Sequence, residues 1–380
     1  MDFNFSEEQE LIRASLSSYL ADAYGFEQRR KALATEAGWR PEVWRALAQD
    51  LGLLGAALPE DLGGLGGGPV ETLVIMQELG RALVVEPYLE TVVIAGGLLA
   101  RTGGEAARAA VGEIIAGDLI AALAWGEPTS RHDAVDVSTT ARRDGAGWRI
   151  DGRKAVVTAA PWASKLLVTA RTGGGRRDAE GVSLFLVDKA AKGVATRDYP
   201  TVDGRRASEV ELDGVVVSAD ALLGGEGQAL PLVEAVFDEA RAALCAEALG
   251  VLSELVRQTI DYARQRKQFG RPISEFQVLQ HRMVDMFIAS EQSTSMAYLA
   301  TLKLGAPAAE RARAVSATKA FIGKALTSVG QAAIQTHGGI GMTEELALSH
   351  YFKRATMIEK ALGSTDFHLR RFEALGAAAA

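Results

Sequence analysis

Between residues 228 and 376 the chain has only three stretches where a helix must stop: Gly270-Arg271-Pro272, Gly305-Ala306-Pro307 and His337-Gly338-Gly339-Ile340-Gly341. Glycine and proline are the strongest local breakers. The spacing predicts helices near 229–264, 274–304, 307–336 and 344–374. Four long helices joined by short breaks define an antiparallel bundle.

Two other textures precede it. Up to residue 118 the sequence reads helical. Ser6 and Gln9 have capping-box spacing, and Leu11, Ile12, Leu16, Tyr19 and Leu20 mark one helical face. Pro41 and Pro69 stand where helices begin. The run Gly63-Gly64-Leu65-Gly66-Gly67-Gly68 lacks a Walker lysine and follows no clear strand, so it reads as a flexible connection. From 119 to 227 the pattern alternates, in Trp148–Gly152 and in Glu209–Val217, and Gly181–Asp188 is an apolar run of strand formers. Asp-Gly pairs at 144, 151, 203 and 213 read as turns. These features predict a small β-barrel or sandwich, and the lack of strand–helix alternation speaks against a Rossmann domain. The expected fold is mostly α with a central β domain. It comprises an N-terminal helical domain (1–118), a middle β-barrel (119–227) and a C-terminal four-helix bundle (228–380).

The 41 basic and 48 acidic residues give a net charge of −7, which argues against a general nucleic-acid binder. A single cysteine, Cys245, excludes an intrachain disulfide and a cysteine-based zinc site. The histidines are scattered and none has metal-ligand spacing, so no structural metal is expected. Thr91–Ala100 is half the ~20 apolar residues of a membrane span, and the N-terminus lacks the pattern of a secretory signal. A cytoplasmic protein is expected.

Three segments carry candidate chemistry. Tyr262–Gly270 ends a helix with three cations. The helix dipole favours cations there, yet the same residues would suit an anion, with Phe269 placed to stack on an aromatic ligand. The glycines of His337–Gly341 would let a ligand approach the backbone closely, although any loop between helices also needs glycine. Glu247 lies in the apolar stretch Ala242–Gly250, where burial would raise its pKa toward that of a general base. The alternative is a surface glutamate on the polar side of the helix.

YARQRKQFGRPISEFQVLQHRMVDM (Tyr262–Met286) and QTHGGIGMTEELALSHYFKR (Gln335–Arg354) resemble the two signatures of the acyl-CoA dehydrogenase family, and the resemblance extends over essentially the whole chain. It implies non-covalent FAD, an acyl-CoA substrate, α,β-dehydrogenation to a trans-2-enoyl-CoA, and electron-transfer flavoprotein as acceptor. Carried over by position, Arg266, Gln268, Phe269 and Gln277 would meet the FAD of a neighbouring subunit, which implies at least a homo-oligomer. Gln335, Gly338 and Gly339 would approach its adenine end. Thr365 and Thr158 match FAD-binding threonines, and Asp238 and Arg241 match positions near the acyl-CoA. WGEPTSRHDAVDVSTTARRDGAGWRIDGRKAV, LCAEALG and HYFKRATMI resemble a small-subunit subgroup, implying a heterotetramer with a large acyl-CoA dehydrogenase subunit.

Some positions depart from the family pattern. Gly363 and Ala240 stand where family members carry the catalytic glutamate, which leaves Glu247, matching a third known location, as the candidate base. The alternative is a half-site subunit whose partner supplies the base. Gly126, His132 and Val156 replace the threonine, serine and tryptophan usual around the flavin. The small residues at 240 and 363 predict a wide pocket on the base side.

Overall fold

The computed structural model describes residues 4–377. The chain packs as two compact units. One comprises residues up to Arg30, Pro69–Val84 and Arg241 onward; the other comprises Lys31–Gly68 and Val85–Ala240.

The first unit is helical. Its opening helix, Glu7–Ala23, carries the expected capping box: Ser6 Oγ accepts from the Gln9 N–H at 3.2 Å and Gln9 Oε1 from the Ser6 N–H at 3.0 Å. This satisfies two donors at the helix start. The helix packs on Pro69–Arg81, where Gln9 Nε2 donates to Glu71 at 2.8 Å. The long helix Ala229–Gln265 supplies the centre of the unit, with Leu244, Cys245, Ala246, Val251, Leu252 and Leu255 all fully buried. Two glycines set the spacing between Pro69–Arg81 and this helix. A Cβ on Gly80 would lie 2.1 Å from the Glu247 carbonyl oxygen, and one on Gly250 would lie 2.1 Å from that of Gln77. The two backbones therefore touch.

Helices Gln277–Leu302 and Ala308–His337 follow, close to the expected spans. The expected last helix, 344–374, is instead two helices, Ala347–Lys360 and Thr365–Ala377. The cause lies at Leu362 and Gly363, with φ of 52° and 116°, values a helix cannot contain.

The second unit holds a sheet: β1 (Ala121–Ala124), β2 (Thr140–Asp144), β3 (Gly147–Thr158), β4 (Lys165–Arg171), β5 (Val182–Asp188), β6 (Val194–Pro200), β7 (Arg206–Val217) and β8 (Leu222–Leu223). The order is β6-β7-β3-β2-β4-β5-β8, with β1 parallel to β4. Trp148, Ile150, Leu166, Val168, Phe185 and Val215 form its buried face. Two of the four Asp-Gly pairs are turns, at 144 between β2 and β3 and at 203 between β6 and β7. The other two lie inside β3 and β7, facing one another where the register shifts, and the Gly214 N–H donates to Asp151 Oδ1 at 2.7 Å. The left-handed preference of Asp-Gly serves a β-bulge there rather than a chain reversal.

The glycine run at 63–68 is a connection, but not a loose one. The N–H groups of Gly64, Leu65, Gly66 and Gly67 bond to the carbonyls of Pro59, Gly55, Leu58 and Ala56. Among the described residues, no helix is long and apolar enough to cross a membrane.

Candidate active site

Glu247 lies well inside the helical unit, 1% exposed. Its carboxylate receives a two-pronged hydrogen bond from Arg354 of the Ala347–Lys360 helix, with Nε to Oε1 and Nη2 to Oε2 both at 2.6 Å. Arg354 is itself 7% exposed. Gly80 closes another side, since a Cβ there would come within 3.0 Å of Glu247 Cγ. The alternative of a solvated glutamate on a polar face is therefore overturned. A buried charge needs a partner, and the helix crossing at Gly80 brings Glu247 into a packing layer where Arg354 supplies one.

Gly363 shows what fills the usual base position. A Cβ there would meet His368 Nε2 and Phe367 Cδ1, each at 2.5 Å. The glycine opens no room, because neighbouring rings take the space, and this corrects the expectation of a widened pocket at that position. The turn is held from below by Lys319, 1% exposed, whose ammonium donates to the carbonyls of Ile358, Glu359 and Gly363 at 2.8, 3.1 and 3.0 Å. These include carbonyls at the end of the Ala347–Lys360 helix, where a cation is favoured. Burial pulls the Lys319 pKa down to about 8. Burial also drives His368 down to about 2, so its ring is neutral and Nε2–H can donate to the Leu362 carbonyl at 3.1 Å. Arg241 Nε donates to the same carbonyl at 3.0 Å.

The residues expected at the cofactor lie elsewhere on this unit. Arg266, Gln268 and Phe269 form an exposed tip after the long helix, where a two-stranded turn pairs Lys267–Gln268 with Arg271–Pro272. The Phe269 ring is 93% exposed at φ 55°. Gln277 opens the next helix and is exposed. The two signature segments meet through Tyr262, whose ring stacks on His337 at 4.2 Å and whose hydroxyl donates to the His337 carbonyl at 3.3 Å. Gln335, Gly338 and Gly339 are exposed, and a Cβ on either glycine would find nothing within 4 Å. The exposed Phe269 ring, the Arg266 cation and the open backbone at Gly338 and Gly339 are chemically compatible with a dinucleotide. Thr365 stands at the start of the last helix, its N–H bonded to Glu359 Oε1 at 2.9 Å. Gln265 lies eighteen residues beyond Glu247 on one helix, about 27 Å along the axis. The structure thus separates the tip from Glu247 within one chain.

In the sheet unit Thr158 ends β3, paired with Ala207 and exposed. Val156, in the tryptophan position, is 57% exposed at φ 53°, inside a bulge between Lys154 and Val157. Left-handed backbone is costly for a β-branched residue. Glu127 is buried against Lys154 at 2.8 Å and also accepts from the N–H groups of Ser138 and Thr139 and from the Ser138 hydroxyl. Burial would raise its pKa, but Lys154 and these hydrogen bonds outweigh that and hold it at about 2. Asp238 is buried, 1% exposed. Among the described residues no cluster of histidine, cysteine and carboxylate side chains could hold a metal ion.

Sequence reasoning assigned no role to Arg354, Lys319 or Lys154. The available signal was indirect: a carboxylate in an apolar helix requires a cation, without indicating which one.

Residues 6–117, 122–215 and 227–374 match in turn the N-terminal, middle and C-terminal domains of acyl-CoA dehydrogenases. The chain belongs to this family of oxidoreductases acting on CH–CH donors. It is 30% identical over 382 residues to the acyl-CoA dehydrogenase FadE27 of Mycobacterium tuberculosis, covering 98% of this chain and 97% of that protein. The ChsE4–ChsE5 complex from Mycobacterium tuberculosis superimposes with a TM-score of 0.89 at 30% identity over 99% of each chain. An FAD complex of PigA does so with a TM-score of 0.91 at 25% identity over the full length of both.

Proposed function

We propose that this chain is an FAD-dependent acyl-CoA dehydrogenase, organised as the domains 1–118, 119–227 and 228–380, in which Glu247 removes the α-proton of an acyl-CoA thioester. Bound FAD would accept the β-hydrogen as hydride, and electron-transfer flavoprotein would then take the electrons. The observation that carries the reading is the buried Glu247, paired with Arg354, in a family member whose common base positions hold Ala240 and Gly363. An α-proton is weakly acidic, and its removal is favoured by a carboxylate shielded from water. Thr158 and Thr365 would meet FAD. Arg266, Gln268, Phe269 and Gln277 would meet the FAD of a neighbouring subunit, and Gln335, Gly338 and Gly339 would approach its adenine end. Asp238 and Arg241 would line the acyl-CoA.

The likeness to the ChsE4–ChsE5 complex supports a heteromeric assembly with a large subunit and a role in fatty-acid or steroid side-chain degradation. The sequence resemblance to the small subunit of pimeloyl-CoA dehydrogenase points to a dicarboxyl-CoA within the same class. Anaerobic titration of the purified flavoprotein with a panel of straight-chain, dicarboxyl and steroid-type acyl-CoAs, with and without a large subunit, tests this. Flavin bleaching is expected with at least one of them, and E247Q should slow it by roughly 10²- to 10⁴-fold.

A second reading is favoured by the grip of Arg354 on both oxygens of Glu247. The pair would then serve to lock helices together, and the partner subunit would carry the base. In that case E247Q would keep full activity in the partnered complex.

A further inference from the structure

We infer that Arg354 is the positioning residue of the proposed base, keeping Glu247 ionised and aimed within a layer of packed helices. The inference rests on the reading of Glu247 as base and deepens it.

A carboxylate sealed at 1% exposure without a counter-charge would take up a proton and could no longer accept one from substrate. A guanidinium prevents this, because it does not lose its proton and its planar fork matches both oxygens of a carboxylate. The fork here is formed in full, with both contacts at 2.6 Å, and it reaches across 107 residues of sequence from another helix. Gly80 contributes by letting the Pro69–Arg81 backbone close over the carboxylate stem, which limits the side chain's freedom to swing away.

The proton account is simple. The α-carbon gives its proton to a Glu247 oxygen. Arg354 then faces a neutral acid in place of a carboxylate. That change favours loss of the proton to solvent after product leaves, which resets the base.

Charged and titratable groups on the surrounding elements include Glu78 and Arg81 of the Pro69–Arg81 helix and Arg241, Cys245, Glu254 and Arg257 of the long helix. His350, Tyr351, Lys353, Glu359 and Lys360 share the helix of Arg354, and Lys319 lies on Ala308–His337. Burial raises the Glu78 pKa, opposed by the Arg81 charge beside it. Its contribution cancels when variants are compared at position 354.

The test is infrared spectroscopy of the purified flavoprotein without substrate, co-purified with its large subunit where one is bound. Wild type is read against E247Q across acid and neutral pH, so that the difference isolates the Glu247 carboxyl. Wild type should show the ionised band down through the ordinary glutamate range. R354M, measured against E247Q/R354M, should raise the midpoint by roughly one to three pH units. R354K, which keeps the charge and loses the fork, should fall between. If R354M does not fold, R354K carries the comparison. An unmoved midpoint in the folded variants, or a protonated Glu247 in wild type at neutral pH, would overturn the inference. Its failure is distinct from that of the base reading: E247Q with undiminished turnover removes the base, whereas an unmoved infrared midpoint removes only the role of Arg354.

Discussion

Each unit buries a carboxylate against a cation, and the two pairs are built differently. Glu127 in the sheet unit is caged by neighbours in its own strands and turns: Lys154, the Ser138 and Thr139 N–H groups and the Ser138 hydroxyl. Lys154 in turn bonds to Thr169 Oγ1 at 3.1 Å and reaches the Trp125 carbonyl at 3.4 Å. Glu247 is gripped by a guanidinium that arrives from a different helix. The cations also differ in how firmly they hold charge. Burial pulls Lys154 down to about 8, within reach of physiological pH, whereas arginine stays charged throughout. The first carboxylate is held by near neighbours and the second by a clamp that comes from far along the chain.

The largest effect expected of this contrast is at Lys154. K154M removes the cation and leaves Glu127 buried amid donors alone, which should cost about 3–5 kcal/mol in the urea unfolding of the sheet unit. The double variant E127Q/K154M should recover much of it. A loss under about 1 kcal/mol in K154M would mean that the cage holds the carboxylate without the lysine, and the comparison would fail.

Acid comes next. Glu127 sits at about 2 in the fold against an ordinary value of 4.5. The folded state thus gives up this proton more readily than the unfolded chain, and the stabilisation is complete above pH 4.5. It is lost progressively as pH falls toward about 2. The melting temperature should drop across that window, and the drop should be shallower in E127Q/K154M. Parallel curves would show that Glu127 does not report its environment in this way.

The smallest effect is at Val156. V156G removes a β-branched residue from φ 53° at an exposed position and should stabilise the sheet unit by up to about 1 kcal/mol, read as a rise in melting temperature. A fall would mean that the side chain packs in a way that repays the strain.

Much of this architecture could be read from local pattern. The capping box at Ser6 and Gln9, the proline at the start of the Pro69 helix, and the breaks at 270–272 and 305–307 are short-range signals, and the chain obeys them. Longer-range facts were not legible. Asp-Gly at 151 and 213 has the same local preference as Asp-Gly at 144, and only the pairing of β3 with β7 makes the former pairs bulges. The split of the last helical stretch falls at Leu362 and Gly363, and Lys319, distant in sequence, caps it by collecting the carbonyls of Ile358, Glu359 and Gly363. At the candidate site, periodicity indicated that Glu247 shares a helix with apolar neighbours. That its partner is Arg354, 107 residues away, depends on which helices touch, and a periodic pattern does not carry that information.

The crowding around Gly363 has a consequence for redesign. A glutamate placed at that position would drive its first carbon into His368 and Phe367, both already seated, and would strain a backbone at φ 116°. A single substitution there is therefore not enough to install a carboxylate; at least one ring has to give way with it.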